Sequence, residues 1–151
     1  MTAAEALAFV ERHGIVLEAA RHGAIPSLAE AVAGEPIRGS WWGHPKGRAI
    51  FAVTRALRES PAVLTCKLVG GRISFVHERL WPALARLADR FPRERLARVR
   101  EIHTESGAHR SEETPFPAWL PASAKSASER LSERDAEIAL GPLLAEIGGE
   151  A

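Results

Sequence analysis

No asparagine, glutamine or tyrosine occurs in these 151 residues, and cysteine occurs once. Without side-chain amides there is no amide donor for an oxyanion hole and none to read adenine in a bidentate fashion. Cys66 has no partner in the chain, which excludes an internal disulfide framework and sets a reducing cytoplasm as the expected compartment. No apolar run approaches the ~18 residues of a membrane span, so no membrane partner is expected. The first residues carry Glu5 and Glu11 and lack the basic-then-apolar layout of a secretion signal. There is no Gly-x-Ser-x-Gly elbow, Walker loop, dinucleotide fingerprint or cysteine pair, and enzymes built on those motifs are set aside. No repeat or low-complexity tract is present.

What the chain does have is a hydrophobic fraction of 46%, enough for the core of one domain. Arginine far outnumbers lysine, and the charges are unevenly spread. Residues 1–35 hold two Arg against five Glu, residues 36–100 hold fourteen Lys and Arg against four acids, and residues 101–151 hold four against ten. A basic block between acidic ends is the electrostatic footprint of a phosphate-binding surface, or else a solvated face paired to the acidic segments.

Apolar spacing predicts a helix over 2–22 with a break or kink at Gly14, and a short helix opened by Pro26-Ser27 and stopped by Gly34. The turn-rich stretch Glu35–Gly43 carries Trp41-Trp42. A strong helix is predicted from about Pro45 to Glu59, burying Ile50, Val53, Ala56 and Leu57 and placing His44, Arg48 and Arg55 on a separate stripe. Between Pro36 and Arg58 there are five Lys or Arg and no acid. Ala62–Val69 and Arg72–Val76 read as strands joined by Gly70-Gly71, a two-residue hairpin turn. That turn pairs Lys67 with Ser74 and Cys66 with Phe75. Leu64, Cys66, Leu68, Ile73 and Phe75 then share one face, and Thr65, Lys67, Arg72 and Ser74 the other. Leu80, Trp81, Leu84 and Leu87 mark a helix. Another is predicted from Pro92, with Leu96, Val99 and Ile102 inward and the Arg93–Arg100 arginines largely outward. Residues 104–124 read as an irregular loop that packs back through Phe116, Trp119 and Leu120. Ser126-x-x-Glu129 resembles a capping box for an acidic helix to about Leu140, broken by Gly141-Pro142.

Several side-chain groupings invite chemistry. Trp41 and Trp42 can stack on an unpaired base while Lys46 and Arg48 hold phosphates at a helix start, or fill the core, which is the expectation for at least one of them. His103, Glu105 and His109, with Glu112 and Glu113, match no zinc spacing. His77 beside Glu78 is more simply a structural histidine than half of an acid/base pair. Cys66, among apolar neighbours, is a poor nucleophile.

Helix, short helix, basic helix, hairpin and helix is close to the order of a winged helix-turn-helix, in which one helix enters the major groove and the hairpin touches the backbone. Residues 23–87 carry a resemblance of pattern, from Gly23-Ala-Ile-Pro-Ser-Leu-Ala-Glu-Ala-Val-Ala-Gly34 through Ser40-Trp-Trp-Gly-His-Pro-Lys-Gly47 to Phe75-Val-His-Glu-Arg-Leu-Trp-Pro82. The segment resembles winged-helix proteins related to bacterial crosslink-repair DNA glycosylases (AlkZ-like proteins). The resemblance implies a winged-helix fold and DNA binding, in a repair setting. Glycosylases of that family act through a glutamine-containing motif, and this chain has no glutamine, so no catalytic residue is carried over.

The expectation is therefore an α+β, mostly helical chain: a winged-helix-like domain over 1–103, a loop over 104–124 and an acidic helical segment over 125–151 that packs on the domain or masks its basic surface. DNA is the expected partner, held chiefly by its backbone through Trp42, His44, Lys46, Arg48, Arg55, Lys67 and Arg72, with no cofactor or metal. The alternatives are an adaptor engaging an acidic protein, or an enzyme on nucleic acid using His44, His77 or the His103–His109 loop.

Overall fold

The computed structural model describes residues 1–67, 72–103, 107 and 109–148. Its first helix, α1 (Ala3–His13), starts in a capping box: Glu5 N–H donates to Thr2 Oγ1 at 3.1 Å and Thr2 N–H donates to the Glu5 carboxylate at 3.0 Å. Gly14 ends it at φ 79°, where a Cβ would meet Leu80 Cδ1 at 2.5 Å. The chain beyond is a strand, β1 (Ile15–Leu17), and not the continuing helix expected to residue 22. All three of its residues are buried, because both faces of the sheet it joins are covered, and a helical spacing cannot be told from such a run.

Ser27 caps α2 (Leu28–Ala33) and Gly34 stops it, as expected. The amphipathic α3 (Gly47–Glu59) buries Ile50, Val53 and Leu57. Two strands follow, β2 (Val63–Lys67) and β3 (Ile73–His77); the Gly70-Gly71 turn lies outside the described residues. Cys66 pairs with Ser74 and Lys67 with Ile73, one residue away from the register of a two-residue turn. The expected faces change accordingly. Leu64, Cys66, Ser74 and Val76 share one face, while Val63, Thr65, Lys67, Ile73 and Phe75 share the other. The expected register assumed one wet face. In fact Phe75 and Val63 are needed under α1 and α3, and Cys66 and Val76 under the C-terminal helices.

After α4 (Trp81–Arg86), Arg93–Leu96 forms a single 3₁₀ turn and the chain then extends as β4 (Ala97–His103). This replaces the helix expected from Pro92. Leu96, Val99 and Ile102 satisfy a three-residue spacing, but the ladder partner of this segment lies in the stretch expected to be irregular. There β5 (His109–Thr114) pairs with β4 from Arg98↔Thr114 to His103↔His109. The antiparallel sheet has the order β1-β3-β2-β4-β5. Phe116, Trp119 and Leu120 are buried as expected, and Trp119 Nε1 donates to Leu96 O at 2.6 Å.

The C-terminal part is α5 (Ala122–Ser128), α6 (Glu133–Ala139) and α7 (Gly141–Gly148). Ser132, not Ser126, is the acidic helix's cap, accepting from Asp135 N–H at 3.0 Å. Gly141-Pro142 opens α7. Ala136, Leu140 and Leu143 are buried with Leu17, Leu64 and Leu84 in one cluster, so this acidic segment packs on the body. The chain is α+β, about half helical, with helices over both faces of the sheet.

Candidate nucleic-acid interface

The start of α3 is built by the turn before it. Ser40 Oγ accepts from Trp42 N–H at 3.3 Å and sets a 3₁₀ turn over Trp41–Gly43. Trp41 goes into the core and Trp42 stays 66% exposed, their rings stacked at 4.4 Å. Gly47 lets α3 begin hard against this turn, since a Cβ there would sit 3.1 Å from Trp42 O. Phe51, one turn into α3, is 42% exposed, and its ring lies 5.4 Å from that of Trp42. Trp42 and Phe51 together form an exposed aromatic pair beside the start of α3.

His44 is a builder of this turn. Its Nδ1 accepts from Lys46 N–H at 3.1 Å and its Nε2 meets Glu35 Oε1 at 2.6 Å. Lys46 and Arg48 are exposed, and none of the described carboxylates lies within ion-pair distance of either. Arg55 lies two turns after Arg48 on the same stripe and meets Glu59 at 3.5 Å. Both of those side chains are about 70% exposed, and such a pair is weak enough to exchange for a phosphate.

The two cations expected on the hairpin have other partners. Lys67 Nζ donates to Glu113 at 3.0 Å, and Arg72 lies 3.6 Å from Glu146 of α7. Glu146 also meets His22 at 2.5 Å. The structure thus gathers Trp42, Lys46, Arg48 and Arg55 about the outer face of α3, and ties Lys67 and Arg72 to acids of the C-terminal third. Sequence reasoning missed Phe51. Its signal was that it steps off the buried stripe of Ile50, Val53 and Leu57.

A second feature adjoins this face. Among the described residues, the β4 strand pairs with β2 at Cys66 and Lys67 and then runs on with β5 as a two-stranded arm. Between this arm, the free edge of β2 and the flank of α3 lies a cleft of about 1230 Å³. Trp41, Trp42, Trp81 and Trp119 all line it, as do Arg55, Arg58, Arg98 and Arg100.

Of the other candidates, His77 and Cys66 are buried. The His77 Nδ1 accepts from Arg79 N–H at 3.1 Å, capping the next turn. Burial pushes the Cys66 thiol up to about 12, far from a thiolate at neutral pH. Glu105 lies outside the described residues, and among the described residues no three His, Cys, Asp or Glu gather as metal ligands. Comparison with family models, curated proteins and solved structures finds none that matches this chain.

Proposed function

We propose that this chain is a DNA-binding module of winged-helix type, with α3 as the helix presented to the duplex and the backbone as its main target. The observation that carries the reading is the outer face of α3: Arg48 and Arg55 in line along it, Lys46 open to solvent at its start, and the Trp42–Phe51 pair beside them. Phosphate neutralisation by such a stripe supplies sequence-independent affinity.

The element order supports the same reading. Helix, strand, helix, helix and a two-stranded hairpin follow one another through α1, β1, α2, α3, β2 and β3, with β1 beside β3. That is the succession of a winged helix-turn-helix, with β2–β3 as the wing, here extended on its far side by β4. A repair setting accords with the resemblance to crosslink-repair relatives. Lacking Asn and Gln, the chain discriminates sequence weakly, through Arg at guanine and through Ser or Thr.

The test is an anisotropy titration of labelled duplexes of unrelated sequence with the native chain and with Lys46→Ala/Arg48→Ala. The double variant is expected to bind every duplex on the order of tenfold more weakly. Equal affinity of variant and native chain would remove α3 as the contact. Absence of any binding at low salt would overturn the reading and point to an acidic protein partner.

A further inference from the structure

We infer that the cleft between α3 and the β4–β5 arm seats an unpaired nucleic-acid strand, whose bases stack on the Trp42–Phe51 pair and whose phosphates meet Arg55, Arg98 and Arg100. The inference rests on the DNA-binding reading and assigns a second substrate form to the same face.

The cleft exists because of a parting in the sheet. Among the described residues the β2–β4 ladder has two rungs and stops short of Thr65, whereas β4 and β5 run together over six. Where the arm leaves β2, residues on both faces line the gap, Thr65 and Val99 from one and Leu64 and Arg98 from the other. At about 1230 Å³ it exceeds the ~300–1,000 Å³ of a small-molecule pocket. A few units of a single chain fit that description.

Composition names the chain. All four tryptophans of the protein meet at this cleft, although they come from positions 41, 42, 81 and 119. Of these, Trp42 is open to solvent with Phe51 beside it, while Trp41 and Trp119 are buried and wall the cleft. An exposed flat ring is a sequence-tolerant platform, since every base has a π-face. Charge gives the second half. The cleft carries Glu18 and Glu59 against four arginines, with Glu18 held by Arg58 at 2.7 Å and Glu59 beside Arg55. Arg98 and Arg100 are exposed, and none of the described carboxylates lies within ion-pair distance of them. An anionic, ring-bearing polymer meets both demands. An uncharged peptide strand laid on the free edge of β2 would use the backbone groups there and leave the arginines unanswered.

The full chain is titrated with a single-stranded oligonucleotide of about 20 bases, with the matching duplex, and with an acidic extended peptide of similar charge. Two readouts are followed, anisotropy of the labelled ligand and intrinsic fluorescence, which in a chain without tyrosine comes from the four cleft tryptophans. The expected result is quenching by the single strand. Arg98→Ala/Arg100→Ala should weaken single-strand binding while leaving duplex affinity within about twofold. Trp42→Ala should weaken the single strand by about 5- to 150-fold, the range that corresponds to one stacked base. Duplex binding with no single-strand quenching, or single-strand binding indifferent to Arg98 and Arg100, overturns the cleft assignment and leaves the α3 reading standing. Quenching by the peptide alone overturns it in favour of strand addition at β2. No nucleic-acid binding of either form overturns both readings together.

Discussion

Replacing Phe116 by alanine should be among the most destabilising single changes in the chain. Its side chain is fully buried, edge-on to Phe91 at 5.8 Å and tilted against Trp119 at 5.5 Å. Truncating a buried Phe to Ala costs about 3–5 kcal/mol, and the spread reflects how far the surroundings collapse into the hole. Here they are held. Phe116 N–H donates to Arg93 O at 3.1 Å and Trp119 Nε1 to Leu96 O at 2.6 Å, so the walls belong to a bonded frame. Each lost aromatic pairing adds about 0.5–1.5 kcal/mol of preference beyond area. A loss of about 4 kcal/mol follows, a large fraction of the ~5–15 kcal/mol that a domain of this kind possesses. At roughly 2–4 °C per kcal/mol for this length, the melting temperature should fall by about 8–16 °C. Urea unfolding, read in parallel by far-ultraviolet circular dichroism and by tryptophan fluorescence, measures it. Both probes should report one transition with an unchanged slope, because Phe116 shares its buried cluster with Leu17, Leu64 and Leu140. Ile138→Ala, at a position 68% exposed, is the control and should stay within about 0.5 kcal/mol of the native chain. A loss below about 1 kcal/mol for Phe116→Ala, or probes that separate, would refute the placement of this segment in the common core.

Three further outcomes are expected. Ser132→Ala should cost about 0.5–2 kcal/mol through the lost cap of α6, and Ser126→Ala, at the position the sequence pattern favoured, should cost little; paired urea titrations decide between them. Cys66 has its folded acidity weakened by burial to about 12, so its neutral form contributes stability that is complete below the unfolded value near 9 and is lost as pH climbs from there toward 12. Stability measured over that alkaline window should fall less steeply in Cys66→Ala, and identical slopes would contradict the burial. Glu146→Gln keeps the shape at His22 and removes the charge facing Arg72, so duplex affinity should rise about two- to fivefold; an unchanged value would mean that Arg72 takes no part in binding. Deleting residues 125–151 is no substitute for that variant, because it strips Ala136, Leu140 and Leu143 from the core.

Parts of this architecture are legible in the chain because the physics is local. The α3 helix announces itself by a long apolar stripe and an acid-free flank, and β2 and β3 by β-branched runs around a Gly-Gly pair. The hairpin register is not local in that sense. Burial of both faces removes the in-and-out alternation that would have fixed it, and Phe75 lies opposite Thr65 rather than Cys66. The strands β1 and β4 read as helix because three buried residues in a row, or an accidental three-residue spacing, are compatible with either period. The polar β5, His109–Thr114, has no apolar alternation at all and becomes a strand only through β4. At the interface, Lys46, Arg48 and Arg55 are recoverable from one helix. The cleft is not, because its tryptophans and arginines come from four separate stretches that meet only after the sheet has formed. The ion pairs that occupy Lys67 and Arg72 are equally remote in sequence, to Glu113 and Glu146.

The most direct test of the account is the salt dependence of duplex binding by the native chain and by Lys46→Ala/Arg48→Ala/Arg55→Ala. Each phosphate contact contributes about 0.9 to the slope of log affinity against log salt concentration. A phosphate-binding α3 should give a steep native slope and a variant slope shallower by about 2–3. Equal slopes for the two proteins, or a native affinity indifferent to salt, would contradict a phosphate-binding face on α3.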